Sequence, residues 1–65
     1  MELNDYTKDL INLRFAIFKG REDIMETWDR MSIDSDHYLS EALADLINRM
    51  DEVRDLVNQE IGEQI

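Results

Sequence analysis

Apolar residues recur along this chain at intervals of three and four, in two blocks separated by one short polar stretch. In the first block Leu3, Leu10, Ile17, Ile24 and Met31 occupy one heptad position, a, and Tyr6, Leu13, Gly20 and Thr27 occupy d, with Trp28 at e. This spacing gathers side chains on one side of an α-helix, which turns every 3.6 residues or so. Asn4 is placed to cap such a helix, and Asp5 to complement the positive end of its dipole. Met1–Leu3 is expected to fray. The pattern predicts one helix over about 4–31, roughly 40 Å long at 1.5 Å per residue.

Gly20 is the weak point of that helix. Lys19-Gly20 followed by Arg21-Glu22-Asp23 is also compatible with a C-cap and a fresh start. The a-position phase from Ile17 to Ile24 carries straight across the glycine, however, and a break usually resets phase. The reading is therefore a continuous helix, in which Gly20 costs about 1 kcal/mol relative to alanine. A glycine at d predicts that a neighbouring backbone approaches closely there.

Ser32-Ile33-Asp34-Ser35-Asp36 reads as a turn, because Ser and Asp side chains compete for backbone hydrogen bonds. Asp34 or Ser35 is the expected cap of a second helix, with Ile33 as a hydrophobic staple. That helix is predicted over about 36–61. Leu43, Met50 and Val57 stand at its a positions and Leu39, Leu46 and Val53 at d. Ala42 and Leu56 at g, with Ile47 and Ile61 at e, widen the stripe. Glu41, Asp45, Asn48, Glu52, Asp55 and Gln59 form the opposite, polar side. Gly62 is the expected end of the helix, and Ile65 closes the chain.

The fold class that follows is all-α: a single antiparallel helical hairpin. A hairpin covers one face of each helix, yet seven of the nine residues Leu10–Phe18 are apolar. Leu10, Leu13 and Ile17 are assigned to the hairpin seam. Ile11, Phe18 and Met25 form a second line that needs another partner. Two hairpins packed as a homodimeric four-helix bundle would cover it. In length, hairpin pattern and Asp-rich turn (Asp34-Ser35-Asp36), the chain resembles the Rop family of small RNA-binding plasmid copy-number regulators. That resemblance implies a dimer acting on RNA.

Composition narrows the function. The 65 residues contain no cysteine, no proline and one histidine, so disulfides and thiolate or His-rich metal sites are excluded within one chain. A chain this short buries a modest core, which leaves oligomerisation or a partner as the route to stability. No apolar run reaches the length of a membrane span, and the acidic start Met1-Glu2-Leu3-Asn4-Asp5 is unlike a signal peptide. A cytoplasmic location is expected. The net charge of −9 disfavours non-specific binding to nucleic acid or anionic membranes and favours a basic partner.

Candidate chemistry is sparse. The carboxylates fall on polar faces or in the turn, where nothing raises a pKa for general acid catalysis. There is no Glu-x-x-His and no inward-facing acid at an a or d position between Leu39 and Val57, so a bundle-type di-metal site is not expected. His37 lacks a second His or a Cys to work with. The segment Ser40-Glu41-Ala42-Leu43-Ala44-Asp45-Leu46-Ile47 is similar to the Ser-Gln-Glu-Leu-Asp segment of short helical aspartyl-phosphatases that act on sporulation response regulators. Ala42 stands where that motif has Glu and Ala44 where it has its central Asp. No enzymatic activity and no cofactor are expected.

Two surfaces remain. Glu41, Asp45, Glu52 and Asp55, with Asp51 alongside, form an acidic ridge on the second helix, suited to a basic protein groove. The function read from it is binding, and inhibition or regulation, of a basic protein, in the manner of phage-type nucleic-acid mimics. Lys8, Arg14, Lys19 and Arg21 make the first helix locally basic around Phe15, a combination that can hold RNA by phosphate contacts and stacking. The alternatives are thus an RNA-binding dimer working through the first helix, or a structural subunit of a hetero-assembly.

Overall fold

In the computed structural model, which describes residues 4–64, the chain forms two helices, α1 (Asp5–Met31) and α2 (Tyr38–Gln64). Leu3 of the predicted register, the fraying expected at Met1–Leu3, and Ile65 all lie outside the described residues. Asn4 caps α1 as anticipated: its side chain accepts from the Thr7 amide at 2.8 Å, and its carbonyl accepts from Lys8. The helix runs unbroken through Gly20 and ends with Ser32 in the left-handed region (φ 54°, ψ 37°). Arg30 lies in its last turn, where a cation complements the helix dipole.

The second helix differs from expectation at both ends. It starts at Tyr38 rather than 36, and it runs through Gly62 to Gln64 instead of stopping at 61. A glycine in α conformation lowers helix propensity without breaking the hydrogen-bond ladder. His37, not Asp34 or Ser35, opens α2. Its carbonyl accepts from the Ser40 and Glu41 amides, and its Nδ1 accepts from the Leu39 amide at 3.1 Å. Asp34 contributes through its backbone instead: its carbonyl accepts from the His37 amide and from Ser40 Oγ at 2.7 Å. That bond satisfies the hydroxyl of Ser40, which is buried. Ile33 is half-buried and lines a cleft with Met25 and Trp28 at the end of α1.

The helices lie antiparallel, and three cross-contacts set the register: Arg14 opposite Asn58, Gly20 opposite Met50, and Arg21 opposite Asp51. This alignment brings Leu10 beside Ile61 at the open end. Leu10, Val57 and Ile61 form the buried core there, with Ile11, Ile17 and Val53 packed against it.

The seam follows a and e, not a and d. Thr7, Arg14, Arg21 and Trp28 occupy e on α1, and Ser40, Ile47, Arg54 and Ile61 occupy e on α2. Of these only Arg14 is exposed. The d positions of α1 turn aside: Tyr6, Leu13 and Thr27 are exposed, Leu13 to 46%. Leu13 therefore does not close the hairpin. A straight helix drifts about 20° per heptad against a 3.5-residue repeat, so an a/d stripe can be rotated onto a/e without losing its spacing.

Gly20 is half-buried, and a Cβ added there would stand 3.6 Å from Met50 Cε, an ordinary van der Waals separation. The close backbone approach inferred for it is absent within the hairpin. One layer of two helices also leaves the molecule long and thin, about 50 × 17 × 11 Å. Its radius of gyration is 15.1 Å, against about 11 Å for a compact chain of this length.

Candidate interaction surfaces

Rotation of the seam to a and e divides the rest of the hairpin into three surfaces. The side of α2 facing away from α1 carries Glu41, Asp45, Glu52 and Asp55, all exposed. Arg49 pairs with Glu52 at 2.9 Å and Arg54 with Asp55 at 3.4 Å, both at solvent-accessible positions where such pairs contribute little. Asp51 does not belong to this ridge. It is half-buried and accepts from Arg21 Nε at 2.9 Å across the helix interface, with Arg54 Nη1 3.4 Å from the same oxygen. Its role is to tie α1 to α2.

The second surface runs along one flank of α1. Ile11, Phe18 and Met25 all occupy b and share this flank with Phe15 at f. Phe18 is 52% exposed and Met25 43%, while Ile11 is half-buried against the core. Ile11, Arg14, Phe15, Phe18 and Arg54 line a cleft of about 290 Å³. Phe15 is 64% exposed in the cleft it shares with Arg14 and Arg54. Arg14 Nη1 donates to Asn58 at 3.2 Å, and Arg21 Nη1 donates to Met25 Sδ at 3.2 Å, so both arginines hold their stems against the flank. Lys8 and Lys19 are exposed on the same outer side. Of the patch anticipated around Phe15, only Arg14 and Phe15 line this cleft; Arg21 turns to Asp51, and Arg54 from α2 is a member that a reading of α1 alone misses. Arg54 lies on the register that places it at e, which was its only sequence signal.

The third surface is the opposite flank, where the d positions emerge. Leu13, Leu46 and Leu56 are exposed along it, and Tyr6 at its open end. Desolvation, followed by the Glu60 and Glu63 carboxylates, raises the Tyr6 phenol above its ordinary value. Acids outnumber bases on this flank: Asp9 and Asp23 from α1 and Glu60 and Glu63 from α2, against Arg30 and Arg49.

No group of three or more His, Cys, Asp or Glu among the described residues is arranged to hold a metal ion. No helix among them is long and apolar enough to cross a membrane. Ser40 of the phosphatase-like segment is buried and bonded to the turn, Ala44 is half-buried, and Asp45 is exposed on the outer ridge. Scans against protein-family models, curated proteins and solved structures give no match to this chain.

Proposed function

We propose that this chain is a non-enzymatic interaction protein, dimerising into a four-helix bundle and using the outer face of α2 to bind and inhibit or regulate a basic protein. The observation that carries this reading is the exposed row Glu41, Asp45, Glu52 and Asp55, aligned on the side of α2 opposite its seam. A row of one sign on a rigid helix steers a basic partner and fixes its register. The excess of nine negative charges works in the same direction. Dimerisation is supported by the apolar side chains left exposed on both flanks of the hairpin, which a monomer of this size would present as patches.

Affinity capture from host lysate tests this reading, with nuclease treatment and at low and high salt. Capture of a basic protein that resists nuclease, weakens at high salt and disappears in the Asp45→Asn, Glu52→Gln, Asp55→Asn variant is the expected result. Capture unaffected by those three changes sinks it.

A second reading has its own observation, the exposed Phe15 in a cleft shared with Arg14 and Arg54. It is an RNA-binding dimer acting through α1. Nuclease-sensitive capture, lost when Arg14, Phe15 and Lys19 become alanine, would favour it over the first.

A further inference from the structure

We infer that the second copy packs α1 against α1′ antiparallel, on a two-fold axis at Phe18, leaving the acidic face of α2 outward on both copies. This rests on the dimer reading above and specifies which face and which direction that dimer uses.

Three observations carry it. The first is the symmetry of the apolar line. An isologous contact must be self-complementary, each residue meeting the partner of its own mirror position. Ile11 and Met25 stand seven residues to either side of Phe18, on the same heptad position. With α1 reversed on itself about Phe18, Ile11 meets the second copy's Met25, and Phe18 meets its own counterpart.

The second is charge. From residue 8 to residue 21 α1 carries Lys8, Arg14, Lys19 and Arg21, with Asp9 its one acid, and Asp9 lies toward the opposite flank. From 22 to 29 it carries Glu22, Asp23, Glu26 and Asp29 and no base. A parallel pairing sets like halves together. An antiparallel pairing about Phe18 sets Lys8 within a turn of the second copy's Asp29 and Arg14 opposite its Glu22. The Arg14 and Arg21 of the two copies approach each other near the axis, where Arg21 is already paired with Asp51 of its own chain. The other flank lacks this property. Leu13, Leu46 and Leu56 are accompanied there by Asp9, Asp23, Glu60 and Glu63 against Arg30 and Arg49, a flank of net negative charge with less to attract a second copy of itself.

The third is area. The hairpin exposes 5220 Å², about 900 Å² more than the roughly 4300 Å² expected of a compact monomer of 7.7 kDa. That surplus matches the ~800 Å² that each partner contributes to a standard interface. Of the seven basic residues, Arg14 and Arg54 line the cleft on the flank so covered, Arg21 bonds Met25 there, and Lys8 stands at f beside it. The dimer therefore draws these bases toward its interface and leaves the acidic face of α2 outward, which is what the proposed partner requires.

The absence of cysteine makes the test site-specific. Helix axes 8–10 Å apart with Cα atoms at about 2.3 Å radius bring the two residues at the axis to about 5 Å, within disulfide reach. Sedimentation of the whole chain is expected to show a dimer. Phe18→Cys is expected to cross-link to itself under mild oxidation, and Leu46→Cys is not. Lys8→Glu is expected to weaken dimerisation several-fold, and the Lys8→Glu, Asp29→Lys double variant to restore it. A dimer that cross-links through Leu46→Cys but not Phe18→Cys overturns this arrangement while leaving the dimer reading standing. A monomer overturns both.

Discussion

Replacing Gly20 with alanine is expected to stabilise the protein. In a helix interior, glycine is about 1 kcal/mol less favourable than alanine, because its backbone loses more freedom on folding. Gly20 lies well inside α1, and no positive φ requires a glycine there. The added methyl stands 3.6 Å from Met50 Cε, so it gains contact without displacing anything. The site is half-buried, so the methyl adds only a fraction of the ~0.8 kcal/mol that a fully buried carbon contributes. The expected gain is therefore about 1 kcal/mol per chain. For a domain of this size that corresponds to roughly 4–8 °C in Tm. Urea unfolding followed by circular dichroism, at matched protein concentration, measures it as a shift of midpoint at constant slope. A loss of stability would refute the reasoning, since it would mean that another backbone rests on Gly20. Gly20 lies on the flank of Leu13 and away from that of Phe18. A destabilised and dissociated Gly20→Ala variant would therefore also place the second copy on the wrong side for the arrangement inferred above.

Other outcomes follow from the same contacts. Leu10→Ala is expected to cost about 2–5 kcal/mol and Leu13→Ala no more than about 0.5, although both fall on the same sequence stripe; urea denaturation of the two variants separates an a/e seam from an a/d seam. His37→Ala removes the acceptor for the Leu39 amide and is expected to cost about 1 kcal/mol, while His37→Asp keeps a capping acceptor and retains stability by the same assay. The raised Tyr6 phenol favours its neutral form in the folded chain. Its contribution is therefore present below the unfolded value of about 10 and lost as pH rises through the higher folded value. Alkaline unfolding of Tyr6→Phe should lack that component.

Much of this protein was legible without a structure. The two helices, the polar turn between them, the Asn4 cap and the unbroken passage through Gly20 all follow from local chemistry. Phase is carried by side-chain spacing, and capping by residues within one turn. Tertiary packing decided the rest. Spacings of three and four are satisfied equally by an a/d seam and an a/e seam, and α1 is apolar enough on both flanks to permit either. Only the opposing helix, with Ile47 and Ile61 buried at e, breaks that tie; it turns Leu13 outward and draws Arg21 in toward Asp51. The same rotation took Asp51 off the acidic ridge and added Arg54 to the Phe15 cleft. Composition set the sign of the charge, whereas the relative rotation of the two helices set which charges are paired and which face outward. The reason is physical: a helix's own hydrogen bonds depend on neighbours in sequence, but the side it buries depends on what it packs against.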